Sequence, residues 1–87
     1  MYLHLGQSVV VPHREIIGIF DLDNASWAYK TREFLEKAEA DGRAIWLGDD
    51  LPRSFVVVGR QSEAPLVYIS QLSSATLVRR LEQNVLA

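Results

Sequence analysis

Two short stretches of this chain are apolar on both faces of a strand. In Ile16–Phe20, Ile17 and Ile19 fall on one alternating face while Ile16 and Phe20 fall on the other, and Ser54–Val58 repeats the pattern. Successive side chains of a strand point to opposite sides of the sheet, so such a strand has apolar groups to bury on both sides. The sequence therefore predicts that both strands lie centrally in a sheet or under a second layer.

The other strands are predicted from shorter apolar runs and from turn residues. Gly6-Gln7 is compatible with a tight turn between the first two runs, and Pro12 ends the second run because proline lacks a backbone donor. A polar hairpin loop over Gly59–Pro65 should precede the last strand. The predicted strands are Tyr2–Leu5, Val9–Val11, Ile16–Phe20, Ala44–Leu47, Ser54–Val58 and Leu66–Ser70.

Two helices complete the predicted order. The first should run from Trp27 to Ala40, after a cap at Asp23, Asn24 or Ser26, and should end at Asp41-Gly42. Its apolar face has the 3.6-residue spacing of a helix packed on a sheet, through Trp27, Thr31, Phe34, Leu35 and Ala38. The second should begin at Ser73 or Ser74 and pack through Leu77, Val78 and Leu81.

The resulting order, β-β-β-α-β-β-β-α, indicates an α+β fold with a mostly antiparallel sheet and helices packed on it. The 87 residues form one domain spanning residues 1–87. Hydrophobic residues make up 48% of this short chain, which favours burial of part of the apolar surface against another copy.

Composition also limits the compartment and the chemistry. The chain has no cysteine, which excludes disulfides and thiolate zinc sites. Its N-terminus does not resemble a signal peptide, and no apolar run approaches the ~20 residues of a membrane span. We therefore expect a soluble cytoplasmic protein that does not contact the membrane.

No pattern of residues indicates catalysis, a metal or a cofactor. His4 and His13 do not stand in a metal-binding spacing, and no serine lies in a GxSxG elbow. Asp21-Leu22-Asp23-Asn24 is similar to the start of a calcium loop. However, Ser26 and Arg32 replace the glycine and glutamate that such a loop needs at its sixth and twelfth positions. We expect that the protein is not an enzyme.

Nucleic-acid binding is the remaining chemical hypothesis, although a net charge of −2 weighs mildly against it. Lys and Arg side chains supply most of the affinity for phosphates. Arg53 is the strongest candidate, because it stands at a turn immediately before a rigid apolar strand. Lys30 and Arg32, early in the first helix, come next. The alternative is that Arg53 neutralises Asp49 or Asp50, and the sequence leaves both interpretations open.

Several segments together resemble one bacterial family. They are the opening Tyr2–Gly6, the strand Ile16–Asp21, the helical Thr31–Leu35 and the turn with its strand, Asp50–Val57. In this order they are similar to the extracellular matrix (biofilm) regulatory proteins of the RemA/RemB type, and more to the RemB branch. The resemblance extends from Met1 to about Leu81.

The resemblance implies a homo-oligomeric, ring-forming transcriptional regulator around which double-stranded DNA wraps. It also implies a RemA-type paralogue as a further partner, with which this chain would form mixed assemblies. One difference from the RemA sequences weakens the expectation that this chain binds DNA. Where RemA proteins carry an adjacent arginine pair, this chain has Leu51-Pro52-Arg53 after Asp49-Asp50, so that Arg53 alone is basic there. Arg32, in contrast, falls where RemA also has a basic helix residue.

An oligomeric scaffold or protein-interaction module without direct DNA binding is therefore the alternative function. Asp49, Asp50 and the net charge favour it. Trp46 alternates with Ile45 and Leu47, so it should point to the opposite sheet face from these two residues. That position makes Trp46 a candidate anchor of an oligomer interface, and coverage by a helix of the same chain is the competing explanation.

Overall fold

The structure, a computed structural model, describes residues 1–22 and 29–86, with side chains up to residue 83. Its elements follow the predicted order. A short 3₁₀ turn, His13–Glu15, lies between the second and third strands. The strands are β1 (Tyr2–Gly6), β2 (Val9–Pro12), β3 (Ile16–Asp21), β4 (Ala44–Leu47), β5 (Ser54–Arg60) and β6 (Glu63–Ser70), and the helices are α1 (Tyr29–Ala40) and α2 (Ser74–Leu86).

A four-stranded sheet in the order β3-β5-β6-β4 forms the middle of the molecule. The β3–β5 and β5–β6 pairs are antiparallel, whereas β4 runs parallel to β6. β1 and β2 form a separate antiparallel pair. Together with the two helices, this arrangement confirms the predicted α+β fold with a mostly antiparallel sheet.

The β1–β2 pair and α2 cover one face of the sheet. Leu3 and Leu5 of β1 and Leu77 of α2 are completely buried and pack against Val56 and Val58 of β5. A buried hydrogen bond joins these layers, because the Ser70 hydroxyl donates to the backbone carbonyl of Leu5 at 2.9 Å. The fold thus closes one face with both apolar and polar contacts.

Helix α1 covers the other face, and it does so only in part. Leu35 and Ala38 pack on β5 and β6, in a cluster formed with Leu22, Phe55, Val57, Val67 and Ile69. Phe34 lies at the margin of this contact, about one third exposed, with its ring centroid 6.4 Å from that of Phe55. The sheet therefore lies between two layers, of which α1 is the narrower.

The sequence predicts that both strands lie centrally or under a second layer: β5 lies centrally, whereas β3 does not, and only its Ile16 and Ile19 face packs against the layer of β1, β2 and α2. Residues 54–58 of β5 are all buried, whereas β3 is an outer strand that, within the described part of the chain, pairs with β5 alone. Ile17 is 66% exposed and Phe20 is 45% exposed. The physical reason is that α1 packs over the inner strands and leaves this edge of the sheet open.

Smaller corrections concern the element boundaries. The expected loop over Gly59–Pro65 is shorter, since β5 and β6 continue to Arg60 and Glu63, where an ion pair of 3.6 Å links these two side chains. Val78 is exposed and does not join the apolar side of α2.

Ser73 caps α2 as predicted, because its hydroxyl accepts the Thr76 N–H at 3.1 Å. The predicted caps of the first helix, and Trp27, lie outside the described residues.

Candidate assembly and nucleic-acid surfaces

An apolar groove runs between β3 and α1. Its volume is about 350 Å³. Phe20 stacks on Phe55 at its floor, with ring centroids 4.8 Å apart. We call it the β3 groove, and its lining residues are Ile17, Phe20, Lys30, Thr31, Phe34, Phe55 and Val57. Among the described residues, Lys30 is the charged side chain in this lining, so this part of the groove is an apolar surface with a cation at its rim.

A second groove lies on the opposite flank of α1, beside β4. Its volume is about 200 Å³. Trp46 of β4 is 52% exposed there, and its indole Nε1 donates to Glu39 Oε1 at 3.0 Å. We call it the Trp46 groove. Its apolar lining also includes Leu22, Leu35, Pro52 and Ile69, and its charged lining is Arg32, Glu36 and Glu39.

The structure shows on which face of the sheet Trp46 lies and how far helix α1 covers it. Trp46 lies on the face of the sheet that carries α1, opposite to Leu47, as the alternation predicts. Glu39 of α1 accepts a hydrogen bond from its indole, and about half of the Trp46 side chain stays exposed. Coverage by a helix of the same chain is therefore incomplete, and its role as an interface anchor remains a prediction.

The backbone of Arg53 is fixed between two neighbouring segments. Its N–H donates to Ser70 O at 2.9 Å, and its carbonyl accepts the Leu22 N–H at 2.9 Å. The residue itself is exposed. Because β5 begins at the next residue, Arg53 projects from a rigid base rather than from a free loop.

Of the three predicted DNA-binding residues, the structure brings two into one region. Arg32 lines the Trp46 groove together with Pro52, and Arg53 follows Pro52 directly. Lys30 instead lines the β3 groove, on the other flank of α1. Arg32 and Lys30 are two helical positions apart, about 200° around the axis, which explains why they separate.

Carboxylates surround this pair of arginines. Glu36 and Glu39 share the Trp46 groove with Arg32. The exposed Asp49-Asp50 turn precedes Arg53, and the Gln71 side-chain amide lies against the two backbone N–H groups of this turn, which its oxygen accepts when the amide is oriented toward them. The region therefore offers two cations within a surface that also carries several negative charges.

Other arginines serve the fold. Arg43 is buried and donates to Asp41 Oδ2 at 3.1 Å and to Pro65 O at 2.7 Å. Arg60 donates to Ala64 O across the β5–β6 turn. Arg43 is thereby removed from the surface, and the Arg60 guanidinium is engaged by the β5–β6 turn.

Sequence reasoning did not predict that Ile17 and Phe20, the two β3 residues of the β3 groove, would form part of an exposed surface. The signal was present, since a strand that is apolar on both faces next to a single short helix has more apolar surface than that helix can cover. Within residues 1–22 and 29–86, no group of three or more His, Asp or Glu side chains is placed to hold a metal ion. No helix in this part of the chain is long and apolar enough to cross a membrane.

Exposed apolar grooves on a small α+β domain are typical of proteins that act by binding other macromolecules or further copies of themselves. The chain is 37% identical, over 82 residues, to the Extracellular matrix regulatory protein B of Bacillus subtilis (strain 168), with 94% of this chain and 91% of the relative covered. This chain therefore belongs to the family of extracellular matrix regulatory proteins, which confirms the resemblance seen in the sequence.

No protein-family model matches the chain. The relative is named as a regulatory protein, which fits the expectation that this chain is not an enzyme.

Proposed function

We propose that this protein is a homo-oligomeric, ring-forming DNA-binding transcriptional regulator of the extracellular-matrix type, acting in the cytoplasm. One observation carries the proposal: large apolar side chains are exposed at both outer strands of the sheet, Ile17 and Phe20 on β3 and Trp46 on β4. Burying one such side chain fully is worth about 1.5–3 kcal/mol. Contact between copies would therefore stabilise the assembly substantially.

The DNA-binding part depends on Arg53 and Arg32. One copy offers few cations, but a ring would repeat the Arg32–Arg53 region once per subunit. Each neutralised phosphate adds a salt-sensitive contribution to affinity, so a repeated weak site gives useful binding to a duplex long enough to reach several subunits. Arg53 suits this role because its backbone is held at both ends.

Gel filtration coupled to light scattering tests the proposal, with and without duplex DNA, at low and at moderate salt. We expect an assembly much larger than 9.8 kDa that binds DNA at low salt and releases it as salt rises. Arg53→Ala and Arg32→Ala should weaken binding and flatten the salt dependence, by about one unit of slope for each phosphate that the variant no longer neutralises. Arg79→Ala is the control, because Arg79 is exposed on α2, on the other side of the sheet.

Unchanged affinity in both arginine variants would remove these residues from the site. A wild-type protein that assembles but ignores DNA at both salts would favour the second candidate, an oligomeric scaffold without direct DNA binding. The carboxylates of Glu36 and Glu39 beside Arg32, and the Asp49-Asp50 turn ahead of Arg53, favour that candidate.

A further inference from the structure

We propose that copies of this chain join head to tail, with the β3 groove of one copy packed against the outer side of β4 at Trp46, here called the Trp46 edge, in the next. The inference rests on the assembly part of the proposed function and names the two surfaces that meet. Both surfaces lie on the face of the sheet that carries α1, at opposite edges. One copy can therefore use both at the same time, each with a different neighbour.

Charge favours contact between the two different surfaces over contact between like surfaces. The β3 groove carries Lys30 at its rim, whereas the Trp46 groove carries Glu36 and Glu39 beside Arg32. Two β3 grooves in contact would bring two lysines together, and two Trp46 grooves would bring two arginines and four carboxylates together, which leaves an excess of negative charge. Contact between the β3 groove and the edge at Trp46 brings Lys30 to the side of the next copy that carries Glu36 and Glu39, which is the complementary arrangement.

The two surfaces also have complementary shapes, because one is a recess and the other carries an exposed aromatic side chain. The β3 groove is a recess of about 350 Å³ with a Phe20–Phe55 stack at its floor. On the other edge, Trp46 presents a half-exposed indole. A large aromatic side chain seated in an apolar recess is the kind of contact that contributes most to protein interfaces.

The backbone adds a second reason for edge-to-edge contact. Among the described residues, β3 pairs with β5 alone and β4 pairs with β6 alone, so each has one outer side without a strand neighbour. Open strand edges are sites at which another chain can pair. A contact between unlike surfaces repeats from copy to copy, and it closes into a ring when the rotation between copies divides a full turn.

The test uses one substitution at each edge and a matched control, all in the full chain. Ile17→Glu places a carboxylate on the β3 groove, and Trp46→Glu adds one to the already acidic edge. Val10→Glu is the control, since Val10 is an exposed strand residue of comparable exposure in the separate β1–β2 pair. By light scattering, we expect each edge variant to fall to the 9.8 kDa monomer while Val10→Glu keeps the wild-type mass.

Mixing the two edge variants separates this arrangement from contacts between like surfaces. The Ile17→Glu protein keeps an intact Trp46 edge, and the Trp46→Glu protein keeps an intact β3 groove. Their mixture should form one 1:1 complex of twice the 9.8 kDa mass and grow no further. This complex would also show that both variants are folded.

The masses of the variants and of their mixture either uphold or overturn the proposed contact. Wild-type mass in both edge variants, or a mixture that stays monomeric, overturns the proposed contact. Assembly by one variant alone, through its intact surface, would indicate contacts between like surfaces and would also overturn it. DNA binding is read separately on the wild type: loss of assembly in the variants without any DNA binding by the wild type would uphold the contact and overturn the DNA-binding function.

Discussion

Strands β3 and β5 have similar apolar sequences but very different surroundings. β5 lies inside the sheet, between α1 on one face and the β1–β2 pair with α2 on the other, and residues 54–58 are all buried. β3 pairs with β5 through a register that includes a bulge, and on the face that carries α1 its side chains stay largely open. Apolar character thus sets the need for burial, whereas the order of the strands and the width of the covering layer decide whether a single chain can bury a given strand.

The largest effect should follow from a charge in the buried strand. Val56 is completely buried, so Val56→Asp would place a carboxylate in an apolar core without partners and should cost more than about 4 kcal/mol. A domain of this size has little stability to lose, and we expect the variant to be unfolded in circular dichroism. A cooperative melt near the wild-type temperature would mean that β5 is not the centre of the core.

An intermediate effect on the free energy of unfolding should come from Ser70, at the polar end of the neighbouring strand β6. The Ser70 hydroxyl donates to Leu5 O and accepts the Leu72 N–H at 3.0 Å, so Ser70→Ala leaves two buried backbone groups without this partner. We expect a loss of about 1–3 kcal/mol in urea unfolding. Ser74→Ala, at the first position of α2, is the matched control and should change much less.

A smaller effect should follow at the outer strand, where Phe20 stacks on Phe55 but remains nearly half exposed. Phe20→Ala removes one half of this aromatic pair and should cost about 1 kcal/mol in the unfolding of the monomer. The measurement is best made in the Trp46→Glu background, so that assembly does not add to stability. A loss as large as that of a core residue would show that β3 is buried in the monomer after all.

The smallest effect on folding should be that of Ile17→Glu. Ile17 is mostly exposed, and surface substitutions of this kind usually change stability by less than about 0.5 kcal/mol. In the same Trp46→Glu background, its urea midpoint should match that of the parent. A marked destabilisation would remove the basis for using Ile17→Glu as a probe of assembly alone.

The sequence was sufficient for the order of elements because each has its own local signal. Apolar runs bounded by turn residues indicated the strands, the 3.6-residue spacing indicated α1, and Ser73 or Ser74 indicated the start of α2. The sequence was not sufficient for the position of β3. A strand that is apolar on both faces has the same pattern whether it lies inside a sheet or at a sheet edge that another chain covers. The short β5–β6 turn was missed because polar composition suggested a loop, whereas the Arg60–Glu63 pair supports the strand ends.

The candidate site, too, could be predicted from the sequence only where its residues have a local signal. Sequence reasoning selected Arg53, Arg32 and Lys30 by their local positions, and it could not show that α1 separates Lys30 from the other two. It also could not distinguish Arg43 from a surface cation, because the burial of Arg43 depends on Pro65, 22 residues away. Contacts of this kind are created by the fold, and no single segment carries a signal for them.

The parallel pairing of β4 with β6 has a consequence for any chain of copies. β3 and β6 both run opposite to β5, so β4 and β3 point in the same direction at the two edges of the sheet. Copies that continue the sheet from β4 to β3 thus follow one another without being turned over. Every α1 then faces the same way, and the assembly has a front that bears all the Arg32 side chains and a back formed by the β1–β2 pairs and α2. A duplex that follows Arg32 and Arg53 would lie along the front alone.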